Sequence, residues 1–407
     1  KYTYPTFRLA KIFEKLPISR LNVSVQFRAL ACKVMSLPFN ISFKKTNRMS
    51  RKEVLFLLPY PLHRAPSQRF RVENLLFILD KEEISYDLAP FMSEKVWQIL
   101  YKQGSTAQKA LGILQSFARR WFTIFFKAHQ YKSVFIHREA APLGPPIIEW
   151  YLKKILGKKI IYDFDDAIWI PNTSAQNKIA ALVKSFWKVK YICRWSDKIS
   201  AGNDYLCNFA KQSGAREIVR VPTVVNTETR YNQLKQHQSH KLVIGWTGSH
   251  STLKFIDELV PVLRKLQEEI PFTFLVIADK KPELDLLNWE FCPWNEQSEI
   301  EDLLKIDIGV MPLKNDAWSE GKCGFKLIQY LSLGIPAVAN SVGVNQQIID
   351  EGVNGFLADN AIQWEQSLRK LLKSEAIRRE MGKNGREKMI LEYSIASQKE
   401  NFIGLFK

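Results

Sequence analysis

A chain of 407 residues and 47.2 kDa, 46% of them apolar, exceeds what one hydrophobic core ordinarily serves; two or three domains are expected, and a disordered or fibrous chain is excluded. The formal charge is +18, but residues 1–50 supply half of it, with ten Lys or Arg against Glu14 alone, which argues against a nucleic-acid-binding body carrying a basic stripe. Five scattered cysteines without C-x-x-C spacing point to a reduced compartment with neither disulfides nor a thiolate metal site, and no apolar run reaches 18 residues.

Residues 1–50 hold two apolar and basic patches, 7–16 and 21–37, separated by Pro17. As amphipathic surface helices they would turn Arg28 and Lys33 toward phosphate head groups, so an anionic membrane surface is an expected partner. No signal-peptide pattern opens the chain, and the expected location is cytoplasmic, peripheral on the inner face of the cell membrane. The run EVLFLLP at 53–59, bounded by charge and proline, predicts the first buried strand. Its exit loop at 60–71 brings Arg64, Arg69 and Arg71, each able to fork onto a phosphate or carboxylate, with Ser67 as a hydroxyl partner.

A second strand is expected at 84–89, then a helical region over 94–131. Its Arg119, Arg120, Trp121, Phe122, Phe125, Phe126 and Lys127 make a dense aromatic and basic block, core on one side and membrane or acceptor contact on the other. Strand 133–136 ends in His137, Arg138 and Glu139, a helix covers 147–156, and strand 159–162 ends in Asp163, Asp165 and Asp166. Three carboxylates at one strand exit cannot all be buried unpaired. The residues alone leave open a divalent cation, a sugar hydroxyl, pairing with the first-loop arginines, or helix capping with salt bridging. A helix at 175–190, a strand at 195–200, a helix at 201–210 and a strand at 217–221 complete this half. The polar stretch 228–241 marks a boundary between domains 51–238 and 239–385.

The second half opens with strand 242–246, the loop TGSHST and a helix at 253–266. Gly248, Ser249 and His250 at that helix start are phosphate-cradling in kind, weaker than a full G-x-G-x-x-G or Walker motif. Strand 272–277, a short strand near Phe291 and Trp294, helix 298–304 and strand 307–311 lead to residues 318–358. There a loop with Gly321 and Gly324 precedes a helix pattern from Phe325, a stop at Gly334 and Pro336, strand 337–339, and a second glycine turn at 341–344. Glycines let a phosphate approach the backbone, and a helix start offers unpaired N–H groups, so a nucleotide is expected here. Three helical segments follow residue 361, and the last, in 386–407, is expected to pack back toward the amino-terminal domain. The alternation of strand and helix predicts an α/β protein of two doubly wound Rossmann-like domains facing each other across a cleft.

By these landmarks, residues 242–393 resemble the nucleotide-sugar domain of the retaining glycosyltransferases of family 4, which have the glycosyltransferase B fold. The resemblance rests on the strand, Gly-Ser loop and helix at 242–266, DIGVMPL at 307–313, GIPAVA at 334–339, SVGVN at 341–345 and EGVNGFL at 351–357. It extends to divergent members acting on bacterial cell-surface polysaccharides. It implies transfer of a sugar from a UDP- or GDP-sugar to a hydroxyl of a glycan or lipid-linked acceptor, with retention, no metal and no tightly bound cofactor. A noncatalytic sugar-nucleotide-binding or assembly protein is the alternative.

The same resemblance implies donor contacts from Gly248, Ser249, His250, Lys322, Gly324, Phe325, Gln329 and Val344. It implies catalytic roles for Asp165, Asp166, Glu320 and Lys326, and acceptor-side contacts from Ser67, Arg69, Arg71, His137 and Arg138. In the family two glutamates eight positions apart face the donor. Counted back from Gly334, they fall on Gln329 and Gly321, so this chain departs at both, with Glu320 displaced by one position.

Overall fold

Apolar runs at strand positions assemble into two open sheets, each of six parallel strands, in the computed structural model of the protein. It describes residues 52–101, 104–171, 184–237 and 241–407. The two patches expected within 1–50, and most of the helix expected at 175–190, lie outside the described residues. Both sheets belong to one compact unit, Arg51–Lys407.

The first sheet has the order β2-β1-β3-β4-β5-β6. Its chain runs β1 (Lys52–Leu58), α1 (Pro66–Arg71), α2 (Leu76–Lys81), β2 (Tyr86–Pro90), α3 (Glu94–Tyr101), α4 (Thr106–Phe122) and β3 (Tyr131–His137). It continues through α5 (Ile147–Trp150), β4 (Lys159–Phe164), α6 (Lys188–Trp195), β5 (Lys198–Ala201), α7 (Asp204–Gln212) and β6 (Glu217–Arg220). Strands buried on both faces read as continuous apolar runs, which is why β1 and β4 stand out in the sequence. Beyond Tyr162, β4 continues through Asp163 and Phe164, with both side chains buried.

The second sheet has the order β12-β11-β10-β7-β8-β9. Its elements are β7 (Leu242–Gly248), α8 (Val260–Glu269), β8 (Phe272–Ala278), β9 (Trp289–Pro293), α9 (Glu299–Leu303), β10 (Ile308–Met311), α10 (Ala317–Glu320), α11 (Phe325–Ser332), β11 (Ala337–Ala339), α12 (Asn345–Ile348) and β12 (Gly355–Leu357). The helix expected at 253–266 divides into a 3₁₀ turn, His250–Phe255, and α8. Pro261 explains the division: it lacks an N–H and is preset for the first turn of a helix, so α8 starts there.

The tail forms α13 (Ala361–Lys373), α14 (Glu375–Glu392) and α15 (Ile395–Gly404). At Val225 the chain leaves the first sheet and at Ser394 it returns, and the two crossings are tied by Val225 N–H to the Tyr393 carbonyl (3.1 Å) and Ile395 N–H to the Val225 carbonyl (3.0 Å). α15 and the residue that caps it then bury Phe402, Ile403 and Leu405 against Val54, Phe56 and Leu58 of β1.

Candidate active site

Each sheet reverses its strand order once, at β1/β3 and at β7/β10, and open α/β sheets leave a ligand crevice at the carboxyl ends of such pairs. On the amino-terminal side this crevice is built from charge. Asp163 is buried at the end of β4. Its Oδ1 accepts from Ser200 Oγ (2.6 Å) and from Arg71 Nη2, and its Oδ2 lies 2.7 Å from His137 Nδ1. Burial alone would raise this carboxyl, but Arg71 and His137 outweigh it and hold it below the usual carboxylate range.

Ser67 Oγ stands 2.9 Å from His137 Nε2 and donates to Asp165 Oδ1 at 2.8 Å. Serine, histidine and aspartate in this row have the outline of a nucleophile triad. The serine proton is committed to Asp165, however, and Asp163 is neutralised by Arg71. The row therefore orients Asp165 and does not activate Ser67.

Arg138 fastens the cluster, its Nε donating to Asp165 (2.8 Å) and its Nη2 to Asp166 (2.6 Å). Its φ of 59° lies in the left-handed region, uncommon outside glycine. Two bonds hold it there: its N–H donates to the Asp163 carbonyl (2.7 Å), and its own carbonyl accepts from the Tyr162 hydroxyl (2.7 Å). Burial pushes Asp165 up, yet Arg138, His137 and Arg71 hold it well below the carboxylate range. The pairing with arginine that the sequence leaves open for the three aspartates is present. Asp163 takes Arg71 of the first loop, and Asp165 and Asp166 take Arg138 of the neighbouring strand exit.

The carboxyl-terminal domain meets this cluster with the loop before α11. Gly324 turns the chain at φ 64°, and a Cβ there would lie 2.2 Å from Ile348 Cδ1 and 3.1 Å from Val344 Cγ1, so only glycine fits. α11 has no side-chain N-cap, and its first backbone bond runs from Ile328 N–H to the Gly324 carbonyl (3.2 Å). The amides of Phe325, Lys326 and Leu327 are left open at the positive end of the helix dipole.

Lys322 reaches back to Asp166 (2.8 Å) across the ring of Trp318, 3.6 Å from its centroid. Lys326 stands over Trp246, 5.3 Å from the ring centroid, and has no ion-pair or hydrogen-bond partner among the described residues. Burial first, and Lys322 second, push its ammonium down to about 8, with Asp166 pulling weakly the other way. A half-buried ammonium without a counter-ion among the described residues favours an anionic ligand.

The domains interlock beside these lysines. Cys323 Sγ donates to the Asp165 carbonyl (3.1 Å), Asn203 Nδ2 donates to the Lys322 carbonyl (2.9 Å), and the rings of Phe70 and Phe325 lie 4.1 Å apart. Gly321 abuts Ala167 so closely that a Cβ would sit 2.5 Å from the alanine methyl. Asp165, Asp166, Lys322 and Lys326 thus share one small volume.

Other candidates lie elsewhere. Arg69 is buried between Phe70 and Trp294 and pairs with Glu296 (3.2 Å) and Glu299 (3.3 Å). It is a strut between domains, not a group open to substrate. Arg71 lies beneath the site, spent on Asp163 and the Val221 carbonyl. Gln329, expected at the ribose, is buried and donates to the Tyr231 hydroxyl (2.7 Å) and Glu299 (3.4 Å).

Glu320 ends α10, its carbonyl facing Asn203 (3.4 Å). The Gly248 loop is exposed: Ser249 pairs with Ser251 (2.8 Å), and His250 closes on Asp279 through both its N–H and Nδ1 (2.6 Å each). Gly248 packs on the same Trp246 ring that Lys326 covers. Ser200, Asn203, Ala167 and Cys323 also line this site and are not marked as site residues by the sequence. Asn203 alone carried a signal, as the cap of α7, its side chain accepting from Leu206 N–H (2.9 Å).

Residues 229–388 match the family model described as Glycosyl transferases group 1. The assignment expected from the motifs, retaining glycosyltransferase family 4, is corrected by this match to group 1. An uncharacterized glycosyltransferase of Methanocaldococcus jannaschii is 24% identical over 219 residues, which cover 50% of this chain and 58% of that protein. Among solved structures, sucrose-phosphate synthase from Thermosynechococcus elongatus is similar with a TM-score of 0.63 at 13% identity, over 87% of this chain and 97% of that one. Anabaena HepE in complex with UDP and glucose gives 0.60 at 13% identity, over 87% and 98%. At such identity the likeness shows the fold, two Rossmann-like domains facing a cleft as in the glycosyltransferase B type. The match to glycosyl transferases thus rests on residues 229–388, and the solved structures add the fold of the whole.

Proposed function

We propose that this chain transfers a sugar from a nucleotide diphosphate sugar, a UDP- or GDP-sugar, to a hydroxyl of a glycan or lipid-linked acceptor, with retention at the anomeric carbon, in cell-surface polysaccharide synthesis on the cytoplasmic side of the membrane. The observation that carries this reading is Lys326, an ammonium without a counter-ion at the open N-terminus of α11, with Lys322 four residues before it. As the sugar–phosphate bond breaks, charge grows on the diphosphate. Two ammonium groups and the amides of 325–327 would stabilise that charge where it develops.

Asp166 and Asp165, fixed by Arg138, lie on the other wall and would orient the sugar or the acceptor hydroxyl. Neither stands free as a nucleophile, which favours attack on the face that the diphosphate leaves, with the departing phosphate taking the acceptor proton. A UDP donor is favoured by the likeness to HepE, whose structure holds UDP and glucose. Titration calorimetry with UDP-, GDP-, ADP- and CMP-sugars tests the donor site: one should bind below millimolar concentration, and Lys326→Ala should weaken it about tenfold or more. No binding at millimolar concentration overturns the assignment. Binding without turnover or hydrolysis would leave a sugar-nucleotide-binding protein, and the anomeric configuration of the product, read by NMR, decides retention.

A further inference from the structure

The block that begins in α4 has a face that the proposed transfer does not use. α4 brings its last turn, Arg119 and Arg120, against the carboxyl ends of β1 and β2, and a π-helical turn, Thr123–Lys127, continues it toward β3. Its inner side is fully committed. Arg120 is buried and donates to the carbonyls of Ala89 and Leu58 (2.8 Å each), Gly112 packs on Val96, and Ser116 bonds back to the Gly112 carbonyl (2.9 Å).

The outer side is apolar and bare. Leu111 is 56% exposed, Leu114 65%, Phe122 49% and Phe126 48%, with Phe125 beside them at 37%. At helical spacing these form one continuous stripe. Phe122 and Phe126 pair at 4.8 Å, and Phe125 rests on Trp121 (5.1 Å) and Tyr151 (5.3 Å), so the aromatic end is held rigid.

Charge distinguishes this face from an ordinary unpartnered helix. From Lys95 to Arg138 the sequence has no Asp or Glu, and of its Lys and Arg, Arg120 and Arg138 turn inward while Lys95, Lys127 and Lys132 are exposed. Lys127 is exposed at the end of the stripe, and exposed Lys154 follows Tyr151 on the adjoining turn. An apolar stripe flanked only by positive charge is complementary to an anionic lipid surface: side chains enter the acyl boundary while lysines meet head groups. A protein partner of ordinary composition gains nothing from the one-sided charge. No helix among the described residues is long and apolar enough to cross a membrane, so the contact is along a surface.

We propose that the outer face of α4 and its π-helical turn, from Leu111 to Lys127, docks on an anionic bilayer. This does not depend on the donor chemistry, and the test separates the two. The full chain is sedimented with vesicles of phosphatidylcholine alone and of phosphatidylcholine with phosphatidylglycerol. It should partition at least about tenfold more strongly into the anionic vesicles, and the difference should shrink as salt is raised.

The quadruple variant Leu111→Gln, Leu114→Gln, Phe122→Gln, Phe126→Gln should lower partitioning at least about tenfold, with unchanged far-UV circular dichroism and unchanged binding of sugar nucleotide. A control variant, Leu287→Gln, Ile362→Gln, Leu391→Gln, changes exposed apolar residues elsewhere and should bind vesicles like the wild type. Equal binding by the quadruple variant and the wild type overturns the proposal, whatever residues 1–50 do. So does equal partitioning into neutral vesicles, or a dimeric mass in solution that the quadruple variant converts to monomer, which would make the stripe a self-association surface.

Discussion

The wild type should show a pH dependence that Lys326→Arg abolishes. With its ammonium pushed down to about 8, Lys326 in the donor-free protein is charged in roughly nine molecules of ten at pH 7 and roughly one of ten at pH 9. If the charged form receives the diphosphate, kcat/KM for the sugar nucleotide, which reports the free enzyme, should fall about tenfold between those pH values. Bound diphosphate restores the counter-ion, so kcat at saturating donor should break at a higher pH. Arginine keeps its charge throughout this range, and its variant should give a flat kcat/KM profile, even at lower absolute rate.

The sign also holds for stability. Because the folded group binds its proton less tightly than the unfolded one, the unfolded chain holds more protons above pH 8, and stability rises with pH there. Lys326→Met should therefore be more stable than wild type at pH 7, by on the order of 3 kcal/mol at most, and the gain should vanish as the pH passes that of an ordinary lysine. Initial rates at subsaturating donor, with denaturant melts at matched ionic strength, measure both. A wild-type kcat/KM flat through pH 9, or the same fall in the arginine variant, refutes the reasoning.

Asp166→Asn removes the carboxylate that holds Lys322 and half of the Arg138 grip, so kcat should fall about 10²-fold while donor affinity, measured by calorimetry, holds or tightens. Gly321→Ala drives a methyl into Ala167 at the point where the domains touch, and turnover should drop with nucleotide binding retained; a normal kcat would show that the contact can yield. Arg71→Met strands a buried Asp163 and should destabilise the fold by about 3–5 kcal/mol, seen as a lowered midpoint in urea. Gln329→Glu, which restores the residue type expected at the ribose, should lose about 1–3 kcal/mol of stability without gaining activity, because the new carboxylate would sit 3.4 Å from Glu299.

What the sequence disclosed and withheld has a physical pattern. Strands such as FTFLVIA at β8 declare themselves because both faces are buried, and the glycines at 321 and 324 because the backbone there has no room or a positive φ. Site membership was less legible, since it depends on partners far along the chain. Arg69 and Arg71 read alike in the loop, yet one pairs with Glu299, 230 residues away, and the other with Asp163, 92 residues away. Gln329 sits at the right count from Gly334, but a helix face cannot announce that Tyr231, from the linker, will take its amide. Lys326 was legible for the opposite reason. A lysine in the first turn of a helix opposes the dipole, and such a local conflict signals a site when nothing nearby relieves it.

Lys322 joins that chemistry to the way the halves meet. It comes from the carboxyl-terminal domain, its bond goes to Asp166 of the amino-terminal one, and its carbonyl is held by Asn203. On the proposed reading, an entering diphosphate and Asp166 compete for the same ammonium. Donor binding would then draw Lys322 away and leave Asp166 held by Arg138 alone, able to accept a bond from a sugar or acceptor hydroxyl. The carboxylate would become available only when a donor is present, while Cys323, Phe325 and Gly321 keep the domains engaged. Asp166→Asn and Gly321→Ala therefore probe different steps. The first removes the exchanged carboxylate and leaves the interlock, and the second loosens the interlock and leaves the carboxylate, so a double variant should lose more turnover than either alone if the two act separately.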